Sequence, residues 1–298
     1  MSVSLACGSI FRMAIGLPAV AERSASLWTL SAADHATGPS ECGPLDIGST
    51  WMIGAGAVGS ALAWWLQYID VIGPWTIIDG DLVDETNLNR SLGYFATDAG
   101  LAGQSPAYKA VASAALIANA EPFPGWWNDY VESDPAAPDV LLPIANEYEV
   151  RPAIAAYGHP AVLHATTSPS WSAELHRHLI ALDDCIACRL PEDAPRFQCA
   201  TGPTGTPDDQ AANHDAALPF LSGAAGLLLL CGLIQLGTGA WAEHATNHWR
   251  WWFDDSARAV SASRWRCQTS CSATPPPPVR GAAHGHARWR HLDPSQTS

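Results

Sequence analysis

The chain has 298 residues, of which 48% are hydrophobic and 15% charged, with a formal net charge of −14. That length and apolar content can bury a full core, in one large decorated domain or two small ones. The acidity excludes a nucleic-acid polymer as partner, because phosphate backbones are repelled, while a few local arginines can still hold a single nucleotide.

Residues 1–47 form an N-terminal segment whose apolar stretch lacks a basic lead-in and is interrupted by Arg12 and Pro18, so no secretory signal is expected. Short buried strands are predicted over 49–54 and 75–79, with a helix over 58–71 opening directly from the glycines between them. A second helix follows Pro106 through alanine-rich 107–119, then come a strand at 139–145, a helix at 150–157 and a strand at 161–166. This alternation predicts an α/β, Rossmann-like fold, a mostly parallel sheet covered by helices on both faces. His176 and His178 alternate on a short strand and read as surface features. The stretch 218–241 has no charged residue and is long enough to span a bilayer. Its glycines, and the lack of a flanking basic cluster, point instead to a helix packed closely under the sheet, with no membrane and a cytoplasmic location. Residues 248–253 and 258–265 read as a C-terminal antiparallel hairpin. The tail, 273–298, opens on Pro275–Pro278 without apolar periodicity and reads as disordered.

Gly54, Gly56 and Gly59 follow the first predicted strand and open a helix, as a phosphate-binding turn requires. Asp79 stands 20 residues beyond Gly59, where a ribose-binding carboxylate belongs, although a turn-capping aspartate would look the same. Glycine turn and carboxylate alone would also suit a nicotinamide-dependent oxidoreductase. The compact run Asp79-Gly-Asp81, Thr86-Asn87-Leu-Asn89-Arg90 argues against a dinucleotide enzyme. Lys109 is the single lysine beside fourteen arginines. An ammonium point charge and a planar guanidinium are not interchangeable at a phosphoryl group, so its retention in this place is suggestive.

At these residues the sequence resembles the ThiF/MoeB/HesA family, the bacterial relatives of ubiquitin-activating enzymes, over about residues 48–272. The resemblance implies an ATP-binding adenylation domain that activates the C-terminal carboxylate of a ubiquitin-like or sulfur-carrier protein, with magnesium, in a homodimer or heterodimer. It assigns Asp79 to the ribose and Asn87, Arg90 and Lys109 to the triphosphate, with Asp81 in the same pocket. Where relatives carry an Asp-Asn pair, this chain has Asn146-Glu147, so Asn146 is expected at ribose or base and Glu147 is a candidate metal ligand. The N-terminal Arg-Tyr-x-Arg-Gln run is also missing, leaving only Arg12 and Arg23. These two departures favour a rival reading, a catalytically weakened nucleotide-binding partner subunit.

Cys185-x-x-Cys188 and Cys267-x-x-x-Cys271 are two chelating knuckles that supply four soft ligands for a tetrahedral zinc ion. A disulfide reading is weaker without a secretion signal. Cys199 lies in a Gly/Pro/Asp-rich crossover loop at about 190–217, where an exposed thiol can attack an acyl-adenylate or simply pack. Cys7, Cys42 and Cys231 read as structural.

Overall fold

The computed structural model describes residues 1–22, 24–31, 43–145, 150–157, 161–179, 183–189, 218–239, 246–254, 259–267 and 288–289. In chain order, α1 (Ser2–Ala14), β1 (Leu45–Asp46), β2 (Thr50–Ile53), α2 (Ala57–Leu66), β3 (Val71–Ile72) and β4 (Trp75–Ile78) lead into α3 (Lys109–Ala114), β5 (Ala120–Phe123), α4 (Trp127–Glu132) and β6 (Val140–Pro143). Then follow α5 (Val150–Tyr157), β7 (Ala161–Ser168), β8 (Ser172–Leu179), α6 (Pro219–Thr238), β9 (His248–Trp252) and β10 (Val260–Ser263).

Eight strands make one sheet in the order β5-β4-β2-β6-β7-β8-β9-β10. The first five pair in parallel and the last three antiparallel. Met52 lies level with Ile77 and Leu142 across the middle of the parallel half. Because successive strand residues point to opposite faces, Met52, Trp75 and Ile77 enter a large core with α2 and α6, while Trp51, Ile53 and Ile78 enter a second one with Trp127 of α4 and Ile154 of α5. The expected α/β sheet, covered on both faces, is therefore present.

The uncharged stretch forms α6, with Pro219 at its first turn and most of its residues buried. A methyl group on Gly226 would sit 2.7 Å from the Leu62 backbone nitrogen, so α6 and α2 approach at backbone distance. Among the described residues, α6 is the one helix long and apolar enough to cross a membrane, and it is largely enclosed by the fold.

Several expectations are corrected by the structure. The helix predicted to residue 71 stops at Leu66, and the β-branched pair Val71-Ile72 instead lies parallel to Leu45-Asp46. The helix predicted over 107–119 spans only Lys109–Ala114, because Tyr108 is held extended by a bridge to Leu82 and Asn119 takes a left-handed backbone (φ 60°) on entering β5. His176 and His178 are buried, as is every residue of β8. The N-terminal segment holds an unforeseen helix, α1, whose Phe11 packs on Trp171 and Phe220. Cys7 on that helix is exposed rather than structural, Cys231 is half-buried, and Cys42 lies outside the described residues. In the expected tail, Trp289 is buried and donates its indole N–H to the Asp139 carbonyl at 2.7 Å.

Candidate active site

The glycine turn sits at the C-terminal end of β2, the customary ligand edge of a doubly wound sheet. Gly54 has φ 92°, and a methyl there would lie 2.5 Å from the Ala145 nitrogen. A methyl on Gly59 would stand 2.3 Å from the Gly54 carbonyl oxygen, so helix and strand pack as close as backbone allows. Gly56, the N-cap of α2, has nothing within 4 Å of that position, the open approach a phosphate needs. Asp79 follows β4. Its Oδ2 accepts the Ala55 N–H at 2.6 Å and its Oδ1 accepts the Asp81 N–H at 2.9 Å. Burial pushes this carboxyl up from its ordinary value, and the two backbone donors and Lys109 only partly offset it.

Lys109 opens α3, with its backbone N–H on the Asp81 carbonyl (2.9 Å) and its Nζ on Asp81 Oδ2 (2.7 Å). The ammonium is largely enclosed, while Asp81 is half-exposed. Asn87 is buried, and its Oδ1 accepts the Asp84 N–H at 3.0 Å in a reciprocal cap of a short 3₁₀ turn, Glu85–Asn87. Arg90 folds back to donate to the Thr86 carbonyl at 2.5 Å. Hydrogen bonds from Thr86 hold the Asp84 carboxyl below its usual value, with Arg90 and Lys109 adding to the effect, so both cations act on one spot at the edge of this loop. A cavity of about 190 Å³ adjoins the turn, lined by Gly54, Asp79, Trp126, Trp127, Asn128 and Val150 among others. An indole wall with a carboxylate at one end suits a flat base joined to a sugar.

Gly54, Gly56, Gly59, Asp79, Asp81 and Lys109 are thus gathered around one turn, with Asn87 and Arg90 on the adjoining loop. Asn146, Glu147, Arg23, Cys199 and the 190–217 crossover lie outside the described residues. Arg12 is buried, donating to the Pro18 carbonyl at 2.8 Å and lying over the Trp171 ring, which makes it part of the α1 packing.

The cysteines form a second constellation. The sulfurs of Cys185, Cys188 and Cys267 lie within 4.8 Å of one another, and Cys267 Sγ accepts the Cys185 N–H at 3.0 Å. Thiolates on one tetrahedral zinc sit roughly 4 Å apart, given Zn–S bonds near 2.3 Å, so these three fit such an ion. Cys271, the fourth expected ligand, lies outside the described residues. The two knuckles meet through Asn247, which is fully buried and escaped the sequence reading. Its Nδ2 donates to Asp184 Oδ1 (2.8 Å), and its Oδ1 accepts the Trp265 N–H (2.8 Å), two residues before Cys267.

Behind the cysteines, four histidines stack across three strands. His164 lies flat between His176 (4.3 Å) and His178 (5.1 Å), and His248 continues the stack beyond His176 at 4.6 Å. Glu174, His176 and His248 bring ligand atoms within 4.8 Å, yet they do not suit a cation. An Arg189 N–H meets His176 Nδ1 at 2.7 Å, and since arginine only donates, the ring proton must sit on Nε2, the atom a metal would need. Arg250 lies 2.8 Å from Glu174 Oε1, adding a further positive charge. Asp184 accepts from Nε and Nη2 of Arg189, and Arg177 and Arg264 share Asp183. Burial opposes the Asp184 charge, but Arg189 and His178 outweigh it and bring the carboxyl down to about 2.

A mostly parallel α/β sheet with a glycine turn after its first long strand and an aspartate after the next is the arrangement of a Rossmann-like fold. The ThiF family matches residues 38–264, and the chain belongs to that family. Among solved structures, E. coli MccB with ATP superposes with a TM-score of 0.55 at 16% identity, covering 76% of this chain and 66% of MccB. MccB in complex with N-formylated MccA gives 0.55 at 15% identity, covering 76% of this chain and 67% of that one. PaaA gives 0.50 at 18%, covering 73% of this chain and 64% of PaaA. The chain therefore spans 66–67% of MccB and 64% of PaaA. No curated protein matches the sequence significantly.

Proposed function

We propose that the protein is an ATP-dependent adenylyltransferase that activates the C-terminal carboxylate of a polypeptide, a ubiquitin-like or sulfur-carrier protein in the family's usual pattern. The observation that carries this reading is Lys109, the chain's single lysine, paired with Asp81, whose own N–H is held by the same Asp79 carboxylate that accepts the Ala55 N–H of the glycine turn. In the reaction a substrate carboxylate oxygen bonds to the α-phosphorus, the bond to the β-phosphate bridge breaks, and pyrophosphate leaves with the electron pair. Negative charge grows on α-phosphate and pyrophosphate oxygens, so a preorganised ammonium released from Asp81 lowers the barrier. Asp79 keeps lone pairs for the ribose hydroxyls, and Trp126 offers a face to the base. Magnesium bound with ATP would neutralise phosphate charge, and Asp81, half-exposed on the same loop as Asp79, would be the carboxylate to contribute an oxygen. Zinc, held by Cys185, Cys188 and Cys267 with Cys271, would be structural, locking the two knuckles together; about one zinc per chain, lost with Cys188→Ser, is the expected metal content. Cys199 as a later thiol acceptor, and a dimeric assembly, belong to the same proposal.

The test is ATP:pyrophosphate exchange with two sets of candidates, small carrier proteins ending in glycine and short peptides. Exchange with the first set supports the carrier reading. Exchange with peptides alone moves the substrate class towards that of MccB, which has been solved with MccA. The engagement of Arg12 in α1 packing favours a second reading, a nucleotide-binding partner subunit. ATP binding without exchange, until a second subunit is added, would establish it.

A further inference from the structure

Ala55, the residue between the first two glycines of the turn, is held at both ends of its amide structure. Its N–H goes to Asp79, and its carbonyl accepts the hydroxyl of Tyr94, a buried residue with no role in the reading above. No cis peptide occurs among the described residues, so the Ala55 carbonyl and the Gly56 N–H point in opposite directions across one rigid plane. Anchoring the carbonyl inward on Tyr94 therefore turns the Gly56 N–H away from the core, at the position where Gly56 has open space. The same hydroxyl lies 3.1 Å from Ser113 Oγ and 3.4 Å from the Lys109 carbonyl, both on α3. With its one proton given to Ala55, the phenol oxygen is left to accept from Ser113. Burial pushes the phenol far above its ordinary value, so it stays a donor.

We propose that Tyr94 is a positioning residue of the nucleotide site. Its hydroxyl fixes the Ala55–Gly56 peptide so that the Gly56 N–H faces the phosphates, and ties that peptide to the helix carrying Lys109. The two phosphate donors, one on the turn and one on α3, are set relative to each other through a single buried oxygen. This deepens the adenylation reading and rests on it for the identity of the ligand.

Tyr94→Phe keeps the ring and removes only this link. In the nucleotide-free protein it should speed amide exchange across residues 54–60 while the strands of the antiparallel half keep their protection. For ligands, the Kd for ATP should rise about tenfold, the usual effect of one lost hydrogen bond, with that for adenosine unchanged. Ser113→Ala, which leaves the Tyr94–Ala55 bond in place and cuts only the tie to α3, should weaken ATP binding by a smaller factor, about threefold. Unchanged exchange at 54–60, or equal losses for ATP and adenosine, would overturn the proposal. A wild-type protein that binds no ATP would instead sink the adenylation reading, and the exchange measurement would still decide the role of Tyr94.

Discussion

Asp79 and Asp184 are both enclosed aspartates, one in each half of the sheet, and their surroundings drive them in opposite directions. Asp79, at the edge of the parallel half, is raised by burial that two backbone donors and a shared lysine do not offset. Asp184, beneath the antiparallel half, is lowered to about 2 by Arg189 and His178 in spite of burial. The first keeps lone pairs that the fold does not use and carries a cost of burial that its partners do not cancel. The second has its charge satisfied inside the protein and serves the scaffold. Under-satisfied charge marks the site here, and saturated charge marks the frame.

The sharpest test of that contrast is Asp184→Ala. It leaves the enclosed Arg189 guanidinium without its carboxylate and loosens Asn247, so unfolding stability should fall by roughly 3–5 kcal/mol in chemical denaturation. A drop below about 1 kcal/mol would mean that the network is better hydrated than its burial indicates. Lys109→Ala belongs to the other half and should cost roughly 100- to 1000-fold in pyrophosphate exchange, about 3–4 kcal/mol of transition-state stabilisation, with the melting temperature nearly unchanged. A variant that exchanges normally would remove Lys109 from the reaction.

Within the turn, Gly59→Ala forces a methyl against the Gly54 carbonyl and should destabilise the fold by about 1–3 kcal/mol. Gly56→Ala, with open space and an ordinary φ of −68°, should melt like the parent yet bind ATP more weakly. Equal melting of the two variants would contradict the packing described for the turn.

The smallest expected effect is a pH dependence. Burial, then neighbouring histidines and arginines, lowers His164 and His176 below the usual 6.5. The unfolded chain therefore takes up protons first, so the stability of the neutral stack is complete above about pH 6.5 and is lost as pH falls below it. Asp184 holds its contribution to lower pH, losing it between 3.8 and about 2. His164→Phe should flatten the upper phase of the stability profile and leave the acidic one; an unaltered upper phase would assign it elsewhere.

The sequence by itself determined the centre of the parallel half, although its edge strand β5 and the helix α4 escaped the pattern. Strand, glycine turn, helix, strand, carboxylate and lysine follow one another within 61 residues, counting from Thr50 to the Ala110 that follows Lys109, so local spacing was enough to place Gly54, Gly56, Gly59, Asp79 and Lys109 around one turn. The hairpin, expected at 248–253 and 258–265, and the uncharged α6 were legible for the same reason: their patterns are local. Only the tertiary structure decided the antiparallel half. His176 and His178 look like solvent-facing residues until His164, His248, Asp184 and Arg189 arrive from three other segments to receive them. Asn247 joins knuckles 82 residues apart, and Tyr94 meets Ala55 across 39. A polar side chain can be buried only when partners satisfy it, and no pattern along the chain announces partners that folding alone brings into reach.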